Sequence, residues 1–425
     1  MKQLPKQKFL GIVFAALILV TAGYGALPRK TGAYATGHYR NLFVEAGRSP
    51  QEVSAKIDSV YQQFFFGNPV NQAIYYSAGT NRNGPLAYIY DNGDGDVRSE
   101  GMSYGMMIAV QLNKKAQFDA LWNWAKTHMY HDSAASPAYG FFSWSMKTNG
   151  TPNEEMPAPD GEEYFAMSLY FAANRWGNGP GIYNYHAEAD RLLDLMKNRA
   201  VITGPTRNGT RIVGALFDPE NKMARFSPDA NSGNHTDPSY QLPAFYELWA
   251  LWGPKKDRAF WSQAAQVSRK FFVESANPKT GLTPDYANFD GTPWAAPWKT
   301  NSVNFSFDSW RTAMNWSVDW AWWGRDRNEQ KLSDKLQEFF YSQDIAKYLN
   351  EFTTDGKPIG NERSAGLISI NAVAGLSATN SHSKEFVEAL WNHAVPTGKW
   401  RYYDGLLYFM ALLHCSGEFQ IWMPR

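Results

Sequence analysis

Gly101-Met-Ser-Tyr-Gly-Met-Met-Ile-Ala-Val-Gln-Leu112 carries no charge and offers water no polar face. A helix of that composition must be covered on all sides. Other helical stretches read differently. Residues 186–198 set Glu188, Asp190, Arg191, Asp194 and Lys197 against Leu192, Leu193 and Met196, the pattern of a helix with one face in solvent. The two kinds alternate along the chain. Amphipathic helices are expected at 49–65, 116–130, 186–198, 257–272, 328–343 and 384–394, and nearly uncharged ones at 101–112, 164–174, 238–252, 312–323, 365–379 and 405–415. The uncharged segments are too short, and too often broken by Ser, Asn or Gly, to span a bilayer. Six buried helices alternating with six half-exposed ones predict an all-α fold in two concentric layers, a six-hairpin toroid or (α/α)6 barrel, with a looser helical bundle as the alternative. In a toroid each hairpin reverses once, so the inner helices run parallel and open their amino termini at one mouth.

Around this core the 425-residue chain shows no Pro/Ser-rich hinge, and residues 37–425 are expected to form one domain. Lys2, Lys6 and Lys8 precede the uncharged run 9–27, with small residues at Val20, Thr21 and Ala22. Residues 1–27 therefore read as a signal peptide or an uncleaved N-terminal anchor, and 28–36 as a linker. Export to the periplasm or the extracellular space is expected, with no other membrane contact and a monomeric state. The formal charge of +1, from 41 Lys+Arg and 40 Asp+Glu, argues against nucleic acid or an anionic polymer as partner. Aromatic residues make up 16% of the chain, more than core filling needs, and suggest a groove where flat, neutral rings stack. A single cysteine, Cys415, excludes an internal disulfide and a cysteine-based zinc site; in its apolar run it reads as an inert buried thiol. Asp91, Asp94 and Asp96 lack the glycine and terminal glutamate of a calcium loop and read as an acidic turn. No metal and no cofactor is expected.

At the mouth, the inner segments begin with carboxylates: Glu100 in Arg98-Ser-Glu-Gly-Met-Ser-Tyr-Gly105, Asp160 in Ala158-Pro-Asp-Gly-Glu-Glu-Tyr-Phe-Ala166, Asp237 in Asp237-Pro-Ser-Tyr-Gln-Leu-Pro243, and Asp308 in Phe307-Asp-Ser-Trp-Arg311. Acidic residues are favoured at helix starts by capping and by the macrodipole, and Asp160 with Glu163 has the spacing of a capping box. Capping explains each residue singly, but not why the buried layer, rather than the charged outer one, begins this way. Carboxylates beside Trp144, Trp310 and Tyr403, without a metal-ligand pattern or a basic groove, suit hydrolysis of a neutral polysaccharide. One carboxylic acid protonates the leaving oxygen, another carboxylate activates water or attacks, and rings hold the sugars. A non-catalytic sugar-binding protein is the alternative from another class. A metal-dependent prenyl cyclase would need Asp-rich ligand clusters on a helix, which the sequence lacks.

At these residues the chain resembles glycoside hydrolase family 8, along 98–107, 158–165 with Arg175-Trp-Gly177, 237–246, 307–315 and 396–419. The resemblance implies an (α/α)6 barrel and inverting chemistry. It also implies Glu100 as general acid, Asp308 as general base, Asp160 and Trp144 holding the sugar at the cleavage subsite, Arg311 orienting the base, and Tyr240 near the attacking water. Trp310 and Tyr403 are expected to bind substrate as well. The phrasing of Tyr39-Arg-Asn-Leu-Phe43 and Trp400-Arg-Tyr-Tyr-Asp404 is similar to the xylan-active branch, which implies a β-1,4-linked xylan or xylo-oligosaccharide as partner. Reducing-end exo-acting members of that branch carry a Leu-His-Pro loop before the fifth inner helix. Here the stretch reads Gly360-Asn-Glu-Arg-Ser-Ala-Gly-Leu367, with no His from 344 to 381. Endo-acting or mixed cleavage is expected on that ground, with reducing-end release of xylose and an endo-β-1,4-glucanase as alternatives. Glu100 must stay protonated near neutral pH although a helix amino terminus favours its anion, so burial and neighbouring carboxylates have to dominate.

Overall fold

The structure, a computed structural model, describes Met1 and residues 31–425. The expected signal peptide or anchor, Met1 apart, lies outside the described residues. Among the described residues there are fourteen α-helices. Two short ones, α1 (Ala33–Thr36) and α2 (Leu42–Glu45), precede six outer–inner pairs: α3 (Pro50–Phe66) and α4 (Ser99–Gln111), α5 (Lys115–Trp124) and α6 (Pro159–Trp176), α7 (Tyr185–Asn198) and α8 (Pro243–Trp252), α9 (Arg258–Ser275) and α10 (Phe307–Trp323), α11 (Arg327–Ser342) and α12 (Ala365–Val373), α13 (Ser383–Asn392) and α14 (Tyr403–Ser416). Each of α5, α7, α9, α11 and α13 packs on the inner helix before it, α3 packs on α14, and α14 returns to α4. The result is a closed (α/α)6 barrel.

Local chemistry explains the layers. The outer helix α11 buries a stripe of Leu332, Leu336 and Phe340, whereas in α6 every residue from Pro159 to Ala172 is covered. Each fully covered Leu, Ile or Phe contributes about 1.5–3 kcal/mol, so the inner ring supplies much of the driving force. Capping sets the start of α3: Ser49 Oγ accepts from the Glu52 amide, and the Glu52 carboxylate accepts from the Ser49 amide at 2.8 Å.

Three features depart from the sequence reading. The described end of the expected linker, residues 31–36, is docked rather than free: Ala33 is buried, and the Tyr34 ring stacks on Trp323 at 4.4 Å. The third inner helix is broken. A 3₁₀ turn, Pro238–Tyr240, is followed by Leu242 outside the helical region, and α8 restarts at Pro243, which has no N–H to continue a helix. Among the described residues, three small antiparallel sheets decorate the barrel: the hairpin β1 (Tyr75–Asn81) and β2 (Gly84–Ile89), the three-stranded β3 (Val97–Arg98), β4 (Ser145–Met146) and β5 (Pro152–Glu154), and the hairpin β6 (Ile202–Thr206) and β7 (Gly209–Val213). The middle sheet matters to the mouth. Arg98 pairs with Ser145, and the Ser99 amide donates to the Trp144 carbonyl at 3.0 Å, which sets Trp144 beside Glu100.

Candidate active site

Glu100, Asp160 and Asp308 stand in the first turns of α4, α6 and α10. Arg311, one turn beyond Asp308 and 2% exposed, joins them. Its Nη1 donates to Glu100 Oε2 at 2.9 Å and to Asp160 Oδ2 at 2.6 Å, while Nη2 lies 3.5 Å from Asp308 Oδ1 and 3.9 Å from Asp237 Oδ2. Four carboxyl groups from four barrel segments thus converge on one guanidinium. Glu100, Asp160 and Asp308 cap no helix. The N-cap positions belong to Arg98, Ala158 and Ser306, and Ser306 forms its own box with Ser309. The capping box expected of Asp160 and Glu163 does not form: Asp160 Oδ1 accepts from the adjacent Gly161 amide, and Glu163 instead accepts the Tyr246 hydroxyl at 2.5 Å. Asp237 does cap, accepting from the Ser239 amide at 2.7 Å.

Burial and charge split the carboxyls into two kinds. Burial pushes the Glu100 carboxyl up to about 7; Arg311 and Arg98 oppose that, and the negative charges of Asp160 and Asp308 reinforce it. Burial also acts on Asp308, but there Lys299 and Arg311 outweigh it and hold the group below its ordinary value. Asp237, fully buried beside Asp308, is pushed well above the ordinary carboxylate range. One cleft therefore presents an acid that keeps its proton near neutrality and an anion ready to take one. Glu100 Oε1 also accepts the Tyr402 hydroxyl at 3.0 Å. Gly101 permits that contact, because a Cβ there would collide with the Tyr402 ring.

The cleft runs to both sides of this group. A cavity of about 630 Å³ lined by Trp144, Tyr240, Tyr286 and Trp298 and a second of about 280 Å³ lined by Phe307, Arg363, Trp400 and Tyr403 share Arg98, Glu100 and Asp308. Among the expected binding residues, Trp144 lies under the Arg98 guanidinium at 5.6 Å, and Tyr240 faces Arg311 at 5.9 Å. Tyr403 lines the second cavity and donates its hydroxyl to the Phe307 carbonyl. Trp310 is a correction. It is fully buried, donates to the Asn350 carbonyl at 3.1 Å, and packs against Phe307 and Tyr403, so it braces the mouth without facing either cavity. Asp308 and Arg311, three residues apart, share the cleft face of α10, and position 310 points instead toward α12, where Gly366 makes room for the indole.

Sequence reasoning missed Lys299, Asp285, Tyr402, Trp298 and Trp400. Trp298 and Trp400 are more than half exposed. Their signal was available, since a Trp in a Pro-rich loop such as Thr292-Pro-Trp-Ala-Ala-Pro-Trp298 has no helical period to bury it. Lys299 gave none. Asp91, Asp94 and Asp96 all pair with Arg98, the residue ahead of α4. Among the described residues no group of His, Cys, Asp and Glu is placed to hold a metal ion.

Comparison with known proteins places this geometry. A family model described as glycosyl hydrolases family 8 matches residues 67–417. The chain is 39% identical over 393 residues to the reducing-end xylose-releasing exo-oligoxylanase Rex8A of Paenibacillus barcinonensis, covering 92% of this chain and 98% of that protein. It is 40% identical to a reducing end xylose-releasing exo-oligoxylanase of Halalkalibacterium halodurans, covering 93% and 97%. Among solved structures, a GH8 xylobiose complex from Teredinibacter turnerae is 57% identical with a TM-score of 0.91, covering 92% of this chain and 100% of that one. The match encloses every carboxyl group at the mouth and the relatives span nearly the whole chain, so this protein belongs to glycosyl hydrolases family 8.

Proposed function

We propose that the protein hydrolyses β-1,4-xylosidic bonds in xylan or xylo-oligosaccharides with inversion, Glu100 serving as general acid and Asp308 as general base. The observation that carries this reading is the opposed protonation of two carboxyls in one cleft, Glu100 raised to about 7 and Asp308 lowered. Glu100 gives its proton to the leaving oxygen as the bond to the anomeric carbon breaks; water, losing a proton to Asp308, attacks from the opposite face. Inversion needs room for that water, with carboxyl groups roughly 6.5–9.5 Å apart. In keeping with this, the two approach different nitrogens of Arg311 and make no hydrogen bond to each other. Asp160 and Trp144 hold the sugar at the point of cleavage, and Tyr240 lies near the water. The substrate class rests on the names of the relatives. Export belongs to the same proposal and rests on Lys2, Lys6, Lys8 and the run 9–27. So does a monomeric state, supported by the scatter of exposed Phe66, Leu251 and Tyr341 over different helices.

The pH profile follows from the two carboxyls. As pH rises through about 7, Glu100 loses the proton it must donate, so kcat/KM should fall with an alkaline limb near 7. On the acid side Asp308 stays ionised below the ordinary carboxylate range, so that limb should lie lower than an unperturbed aspartate would give. A kcat/KM profile from pH 3 to 9 on xylohexaose checks both; an enzyme still fully active at pH 9 would contradict Glu100 as acid.

For the mode of cleavage, the relatives' names favour the alternative, release of xylose from the reducing end, over the endo or mixed action expected from the sequence. One feature supports internal cleavage as a second reading: the cleft continues beyond the catalytic pair into the cavity ending at Trp400. Xylohexaose labelled at its reducing end separates the two. Reducing-end release gives labelled xylose first, whereas internal cleavage gives labelled xylobiose or longer. Proton NMR on the same digest should show the α-anomer in the first product, and an initial β-anomer would exclude inversion. Cellohexaose, run alongside, tests the endoglucanase alternative.

A further inference from the structure

We propose that Lys299 is a positioning residue for the general base, an ammonium that fixes one oxygen of Asp308 and leaves the other for the attacking water. The inference rests on the reading of Asp308 as base. Lys299 Nζ donates to Asp308 Oδ2 at 3.0 Å and pairs with Asp285 Oδ2 at 2.9 Å. Asp308 Oδ1 keeps only the 3.5 Å contact with Arg311.

The ammonium is itself held in place. Asp285 is wholly buried, and its Oδ1 accepts from the Ser306 and Ser309 amides while Oδ2 accepts the Ser306 hydroxyl. Asp285 is thus pinned to the start of α10, the helix that carries Asp308, and Lys299 bridges from that anchor to the reacting carboxylate. The Tyr286 ring, 5.0 Å from Nζ, closes another side. An ammonium needed only to neutralise Asp285 would have no cause to reach Asp308 as well. Lys299 does, with 27% of its side chain exposed beside the 28% exposed Asp308.

The charges around Asp308 make this role measurable. Lys299, Arg311 and Arg98 favour its anion. Burial opposes them. The carboxyls that face Asp308, namely Asp237 from the turn before α8, Asp285 from the loop before α10 and Glu100 from α4, are all raised, in part by its charge, and so take up protons before it does on acidification. Burial also pushes the phenols Tyr240, Tyr286 and Tyr403 up, so they stay neutral. With Lys299 removed, the balance tips toward the protonated base, and activity should need a higher pH.

The test is the kcat/KM profile of Lys299→Met, Lys299→Gln and Lys299→Arg in the full chain, with Asp308→Asn as control. The acid limb of Met and Gln variants should move to higher pH by at least about one unit, while Arg restores most of it. A wild-type acid limb in the Gln variant, or an Arg variant displaced as far as Gln, overturns the proposal; either result leaves the base in place if Asp308→Asn is inactive. Near-normal activity of Asp308→Asn would instead remove the reading on which the inference rests. If the Met variant does not fold, the Gln and Arg pair decides alone.

Discussion

Glu100→Gln should lower kcat/KM on xylohexaose by about 10²–10⁴-fold, the range lost when a positioned proton donor is removed. The amide retains the shape of the acid; its oxygen can still accept from Arg311 Nη1, and its NH2 can donate to the Tyr402 oxygen once that hydroxyl rotates, so the mouth should keep its form. What it lacks is a proton to give. A substrate whose leaving group departs without protonation, such as xylobiosyl fluoride, should therefore be hydrolysed far better by the variant than xylohexaose is, relative to wild type. Stability provides an independent check. Glu100 binds its proton more tightly folded than unfolded, so wild-type stability falls as pH rises from the ordinary glutamate value through about 7. Gln carries no such proton, and above pH 7 the variant should melt at a higher temperature than wild type. Activity on xylohexaose within tenfold of wild type would remove Glu100 from the acid's role.

How far the sequence reached depended on where each residue sits. The uncharged run at 101–112 and its five counterparts announced the inner layer because helical burial has a period that composition reveals. The convergence of Glu100, Asp160 and Asp308 followed from that layer, since parallel inner helices open at one end. The two-residue strands β3 and β4 have no period to read, yet they fix Trp144 beside Glu100. Trp310 misled for the opposite reason: its sequence neighbours Asp308 and Arg311 face the cleft, but one helical step turns the indole into the core. Lys299 becomes meaningful only through Asp285, whose partners Ser306 and Ser309 lie more than twenty residues along the chain. Such long-range ties between loops leave no local pattern.

The same logic gives Asp308→Asn a loss as large as that of Glu100→Gln but of a different kind. Asn still accepts a hydrogen bond, yet it cannot take a proton from water, so kcat/KM on xylohexaose should fall by about 10²–10⁴-fold. A better leaving group does not replace water activation; xylobiosyl fluoride should therefore be cleaved as poorly, relative to wild type, as xylohexaose is. That contrast between the two variants separates acid from base without recourse to the pH profile. The fold should survive, because Lys299 keeps Asp285 and Arg311 keeps Glu100 and Asp160 as partners. Two linked shifts should accompany the loss. The Asp308 anion helps to raise Glu100, so its removal should move the alkaline limb of the residual activity to lower pH. Asp308 itself, held below its ordinary value, stabilises the wild type above the ordinary aspartate range and loses that contribution as pH falls through its lowered value. The gap in melting temperature between wild type and Asp308→Asn should accordingly narrow on acidification. An Asn variant that recovered with the fluoride as fully as Glu100→Gln does would mean that Asp308 takes no proton from water, and the base would have to be sought among the other carboxyls held by Arg311.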